Sequence, residues 1–173
     1  GTLWAWGNNG SGQLGLGNTT TYSSPIQVGA LTTWSSVSTG YGCTVALKTD
    51  GTLWSWGNAS HGQLGHNNPT TISSPVQIGA LTTWASVSVS GANAGSVVAT
   101  QTNGTLWTWG ANAQGQLGQG NTTNTSSPVQ VGALTTWKDA CTGSLFTIAT
   151  ATDGTLWSWG ANNSGQLGQS NTT

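Results

Sequence analysis

The chain has 173 residues and five formally charged side chains, Lys48, Asp50, Lys138, Asp139 and Asp153, with no Arg and no Glu. Two lysines exclude nucleic-acid binding by phosphate neutralisation, which takes several basic residues, and no apolar run approaches the ~20 residues that span a bilayer as a helix. Eleven Trp, each able to bury roughly 150–250 Å², exclude a disordered chain.

Thirty Thr, twenty Ser and fourteen Asn supply the polarity that charges usually supply. Surfaces of this kind go with secreted and virion proteins, so the expected location is extracellular or on a virion surface. There is no Met and no signal segment, and the start is expected to be processed or to lie upstream.

The first seven residues, GTLWAWG, return as GTLWSWG at 51–57, GTLWTWG at 104–110 and GTLWSWG at 154–160. After each Trp pair comes GQLG, and the full units add SSP and then GALTTW, ending at Trp34, Trp84 and Trp137. The units are 1–50, 51–103 and 104–153, with a partial fourth over 154–173. Only the stretch between Trp84 and Asn103 varies in length, by a three-residue insertion.

Within a unit every segment reads as β. LWxWG alternates, putting Trp4 and Trp6 on one strand face and Leu3 on the other. Thr44–Thr49 is rich in β-branched residues and runs into Asp50-Gly51, as its counterparts run into Asn103-Gly104 and Asp153-Gly154. These dipeptides predict type I′ hairpins, so each unit boundary is a tight turn inside a sheet. Pro25, Pro75 and Pro128 are expected just before short edge strands such as Ile26-Gln27-Val28. Four short antiparallel strands in a unit of about 50 residues make an all-β fold of β-propeller blades.

The units resemble the repeat of the regulator of chromosome condensation family. The resemblance rests on Asp50-Gly51-Thr52-Leu53-Trp54-Ser55-Trp56-Gly57, then Gly62-Gln63-Leu64-Gly65, Pro75 and Trp84, with their equivalents in the other units. It implies a segment of a propeller that is usually seven-bladed. It also implies a family position, often His, that is held here by Cys43, Ser96 and Phe146. Three units and a fraction leave two end faces uncovered, and large apolar faces rarely stay in water. The rest of a longer parent chain is the first expected partner, and a head-to-tail assembly of further copies is the second.

No residues present themselves as catalytic, metal-binding or cofactor-binding. His61 and His66 flank one GQLG turn, where the other units carry Ser, Leu or Gln, and a metal site needs three or four ligands. They read as loop-surface histidines. Cys43 and Cys141 occupy different unit positions and read as separate, buried or unreactive thiols. There is no partnered Cys–His pair and the many Ser lack a His neighbour at repeat-unique positions, so nucleophilic chemistry has no support. Gly12-Gln13-Leu14-Gly15 lacks the Lys and helix of a phosphate loop. The tryptophans, all locked to the repeat, are expected in the core.

The expected function is therefore a non-catalytic structural or protein-interaction module displayed on a virion, fibre or cell surface, contacting a protein or glycan receptor without cofactor. Its candidate contacts are the loop tips where the units differ, with Tyr22, Tyr41, His61, His66 and Asn93 as named residues. The resemblance implies a different function, guanine-nucleotide exchange on a small GTPase together with chromatin binding. A third possibility is a secreted inhibitor, for which the exposed aromatics Tyr22, Tyr41 and Phe146 would be the anchors.

Overall fold

The computed structural model describes residues 1–91 and 95–172. Thirteen strands follow in chain order: β1 (Trp4–Gly7), β2 (Tyr22–Gln27), β3 (Trp34–Gly40), β4 (Cys43–Lys48), β5 (Leu53–Gly57), β6 (Ile72–Gln77), β7 (Trp84–Val89), β8 (Ser96–Gln101), β9 (Leu106–Gly110), β10 (Thr125–Gln130), β11 (Trp137–Thr142), β12 (Phe146–Ala151) and β13 (Leu156–Gly160). They form four antiparallel sheets: β1-β2, β3-β4-β5-β6, β7-β8-β9-β10 and β11-β12-β13. The middle two are complete blades. The first sheet has only the outer two strands, and the last lacks the outermost.

Sheets and sequence units are offset. Asp50-Gly51 lies in the turn joining β4 to β5 within one sheet, so the unit 51–103 supplies strands to two sheets. That turn differs from the expected type I′ hairpin. Gly51 has φ +77°, whereas Asp50 is not among the positive-φ residues; Gly51 N donates to Lys48 O, and Lys48 N donates to Thr52 O. This is the longer hairpin, with a turn followed by a left-handed glycine. A Cβ on Gly51 would fall 2.1 Å from Thr82 O, so the glycine also admits the connection to the next sheet.

The prolines also sit differently from expectation. Pro25, Pro75 and Pro128 lie inside β2, β6 and β10, the outermost strands, beside irregularities in register such as that between Ser55 and Gly57. An outer strand needs no donor on its free side, and the irregularity absorbs the missing ladder bond.

The core is made of contacts between sheets. Val45, Leu53, Leu64, Ile78, Val97 and Trp109 form the main cluster, joining the two complete blades. Trp34, Ala46 and Trp56 join the first two sheets, and Val98, Leu106, Trp137 and Ala149 the last two. The strands β3, β7 and β11 are stitched by side chains: Ser38 Oγ accepts from Val89 N at 3.0 Å and Ser88 Oγ from Thr142 N at 3.2 Å.

Each GALTTW tryptophan meets two others at a steep angle, as Trp34 meets Trp54 and Trp56 edge-on at 6.2 and 5.9 Å, the geometry that the ring quadrupole favours. Lys48 completes the first cluster. Its Nζ stands 3.5 Å from the Trp54 ring centroid and 4.9 Å from that of Trp34. One of the two lysines is thus spent on packing. Core burial of tryptophan holds in the interior, where Trp56 and Trp109 are buried, and fails at the ends, where Trp4, Trp6 and Trp157 are exposed.

Candidate protein-interaction surface

The strands alternate in direction, so their connections gather at two ends. At one end the connections are nearly identical: 29–33, 79–83 and 132–136 are all GALTT, and 49–52, 102–105 and 152–155 are T-D/N-G-T. The Asp of that turn is a local cap. Thr52 donates through N and Oγ1 to Asp50 Oδ1 at 3.0 and 2.6 Å, and these bonds hold the Asp50 carboxyl below its usual range. Asn103 accepts the same two bonds from Thr105. A group that an amide replaces so closely is an acceptor, and its acidity has no part in the role.

The other end carries the long loops 8–21, 58–71 and 111–124 and the shorter connections after β3, β7 and β11, where the units differ in sequence. Each long loop contains a GQLG turn built by one device. The Gln side-chain oxygen accepts from the backbone N two residues earlier, as from Ser11, His61, Gln114 and Ser164. The GQLG backbone then docks on the following sheet: Gln13 O accepts from Trp56 Nε1, Gln63 O from Trp109 Nε1 and Gln116 O from Trp159 Nε1.

The predicted contact residues separate into distinct places. Tyr41, in the β3–β4 turn, lies with its ring 6.1 Å from His61, and Ser60 Oγ is 3.1 Å from His61 Nδ1. Both rings are half-buried, and they form one patch at the variable end. Tyr22 starts β2, where its hydroxyl accepts from Asn18 Nδ2 at 3.3 Å, and it borders a groove of about 580 Å³ with Leu31, Trp34 and Trp54. A smaller counterpart of that groove recurs at Leu134, Trp137 and Trp157, which marks it as repeat architecture. Asn93 lies outside the described residues, as does the middle of the loop carrying the insertion. Phe146 is half-buried at the start of β12.

His66 departs from the expectation of a loop-surface histidine. It is half-buried with Nε2 at 2.9 Å from Ser55 Oγ, a Ser–His contact that sequence proximity does not show. Ser55 is fully buried and its hydroxyl proton goes to Leu64 O at 2.6 Å. His66 Nε2 therefore carries a proton and donates, which leaves no base facing the hydroxyl. In the other units Thr108 and Ser158 make the same bond to Leu117 O and Leu167 O and receive Gln119 and Gln169. The first unit holds Ala5 and Leu16 at these two positions. The pair covaries within the chain as a packing unit, and only that internal alignment reveals it.

Both cysteines are free. Burial pushes the Cys43 thiol up to about 12, an inert thiol. Cys141 is exposed on β11. Lys138 and Asp139 are exposed on the same strand. Among the described residues no three His, Cys, Asp or Glu side chains cluster as metal ligands, and no helix is long and apolar enough to cross a membrane.

Sheets of this order, linked through tryptophans in fixed register, match a known repeat. The profile of the "Regulator of chromosome condensation (RCC1) repeat" covers residues 1–47, 50–98 and 103–150, and a second RCC1 repeat profile covers 34–63 and 137–166. The chain belongs to the RCC1 repeat family. Among solved structures, human WBSCR16 superposes with a TM-score of 0.85 at 24% identity, over 99% of this chain and 46% of that one. Prp20p from Saccharomyces cerevisiae, described with its binding to Gsp1p and histones, gives 0.83 at 20% identity over 99% of this chain and 44% of its own. The same yeast protein bound to Kap60 gives 0.76 at 21% identity, over 94% and 40%. The chain thus spans less than half the length of these propellers and is a propeller segment.

Proposed function

We propose that this RCC1-repeat segment is a non-catalytic protein-interaction module that reads its partner through the variable loop end, displayed on a virion, fibre or cell surface. The observation that carries the reading is the contrast between the two ends: sequence differences between units concentrate at the end bearing the Tyr41–His61 patch, while the opposite end repeats almost without change. Loops on a rigid scaffold are where binding specificity resides. The relatives support the class, since Prp20p is described with protein partners.

The test is hydrogen–deuterium exchange on the chain bound to a partner recovered from its source. Protection at 41–42 and 58–70 is expected, and protection confined to the GALTT loops overturns the reading. A Tyr41→Ala, His61→Ala double variant is expected to weaken binding at least tenfold, as hot-spot aromatics do.

Guanine-nucleotide exchange on a small GTPase together with chromatin binding, which the family resemblance implies, is the second reading. Charge argues against contact with chromatin DNA: Lys48 is buried against two tryptophans, which leaves Lys138 as the one solvent-facing lysine, and neutralising phosphates takes several basic residues. Stimulated nucleotide release from a small GTPase would favour this reading over the first.

A further inference from the structure

The interface between the β1-β2 sheet and the β3-β4-β5-β6 sheet holds the groove of about 580 Å³ that Tyr22 borders. One wall is β2 with the loop before it, and the other is Trp34, Trp54, Ser74 and Pro75 of the next sheet. None of the tryptophans exposed at the two ends, Trp4, Trp6 and Trp157, lines it. Nor is it a gap left by the missing inner strands of the first sheet. The counterpart of about 270 Å³ at Leu134, Trp137 and Trp157 follows a sheet with all four strands, and no residue of that sheet's inner strands β7 and β8 lines it.

The repeat supplies the walls, but three side chains found only in the first unit gather at this groove. Tyr22 stands where the next units have Ile72 and Thr125, and Leu16 where they have His66 and Gln119. In the third unit Gln119 Nε2 donates to Val129 O and Gln130 O at 3.2 and 3.3 Å, bracing the loop against β10; Leu16 has no group to make such a brace. Lys48 replaces Gln101 and Ala151, and its ammonium, 3.5 Å from the Trp54 ring centroid, steadies the indole that forms the wall. No charged side chain lines the groove, so an ionic ligand would give up its water without gaining a partner. The aromatic surface of Tyr22, Trp34 and Trp54 is accompanied by spare hydrogen-bonding capacity. The Tyr22 hydroxyl accepts from Asn18 Nδ2 and keeps its own proton to donate, and the side chains of Gln27 and Ser74 have no partner among the described residues. The backbone is engaged instead: Gly15 N, Gly17 N and Val28 N donate to Gly12 O, Ser73 O and Leu3 O. An extended peptide would find no free ladder here.

We propose that this groove binds a neutral oligosaccharide, one sugar ring lying against Tyr22 and the Trp54 indole with its hydroxyls paired to Tyr22, Gln27 and Ser74. A pyranose carries weakly positive C–H groups on one face, which the negative face of an aromatic ring attracts, and a rim of hydroxyls that needs uncharged donors and acceptors. The groove offers both and no charge, and its volume lies within the range of about 300–1,000 Å³ typical of ligand sites. The site shares no residue with the Tyr41–His61 patch, so either reading can stand without the other.

The test follows the indole N–H resonances of the full chain by NMR during titration with cellotriose, chitotriose, maltotriose and lactose. At least one of these sugars is expected to shift the Trp54 signal to saturation. Tyr22→Thr and Leu16→Gln install the residues that the third unit carries at Thr125 and Gln119, the first removing the ring and the second restoring the brace. Each is expected to weaken binding by about tenfold, the worth of one aromatic contact with its hydrogen bond. The third unit folds with these same residues, and the thermal midpoint of each variant reports any disturbance. Gln114→Ala, exposed on the loop after β9, leaves sugar binding unchanged. The proposal is overturned if no sugar moves the Trp54 signal, if binding survives both substitutions, or if the groove takes a proline-rich peptide and none of the sugars.

Discussion

The loops after β5 and after β9 have one shape and opposite defects. In the first, Asn58 accepts from Gln63 Nε2 at 3.0 Å, but the next position is Ala59. In the second, Asn112 accepts from Leu117 N at 2.9 Å and donates to Asn121 and Thr123, but the position before it is Ala111 and the buried Gln116 Nε2 has no partner. The loop after β1, with Asn8 and Asn9, makes both sets of bonds. The shape is therefore over-determined: GQLG glycines and the docking indole hold it, and either asparagine network is dispensable when the other is present.

The largest expected effect comes from removing the one network that the second of these loops has. Asn112→Ala strands the buried Leu117 N–H and drops the cross-loop bonds, which is expected to cost about 2 kcal/mol. In a domain of this size that lowers the thermal midpoint by roughly 4–8 °C, readable by calorimetry. If the midpoint does not move, the glycines alone hold the loop. The converse substitutions are smaller and of opposite sign. Ala111→Asn gives Gln116 Nε2 the acceptor that Asn8 and Asn58 provide in their loops, and Ala59→Asn restores the Asn9-type bond to Leu64 N. Each is expected to stabilise by about 1 kcal/mol, provided the side chain fits as it does in the first loop, and chemical denaturation of the single variants and the pair checks both.

The repeat made most of the fold legible, because four copies of LWxWG in fixed order with GQLG and SSP leave few alternatives to a propeller. What it did not carry was geometry that depends on a neighbour. Asp50-Gly51 promised a two-residue hairpin, but the chain forms a longer one, as does Asp153-Gly154 with nothing packed against Gly154. The tryptophans are chemically equal in sequence, yet their burial is decided by the neighbouring sheet: Trp109 docks on the GQLG loop of the sheet before it, and Trp6 has no such sheet among the described residues, which is why the two differ so widely. The contact surface was legible only in outline. Tyr41 and His61 are twenty residues apart in sequence and meet because the β3–β4 turn and the β5 loop share an end. His66 was misplaced because its partner, Ser55, lies across the loop.

That histidine is where the smallest predicted effect lies. Burial holds His66 below its ordinary range, with a hydrogen bond to the Ser55 backbone acting in the opposite direction. Its folded value is thus depressed below the unfolded one, so its contribution is full above about 6.5 and is lost as pH falls through that value toward the folded one, where the unfolded chain binds the proton first. Gln119 and Gln169 fill the same place without titrating. His66→Gln is therefore expected to retain the bond to Ser55, leave stability near neutral pH almost unchanged, and flatten its decline as pH falls below about 6.5. Urea titrations of both proteins across that range decide it: parallel curves would mean that the acid sensitivity resides elsewhere and that His66 protonates in place without loss.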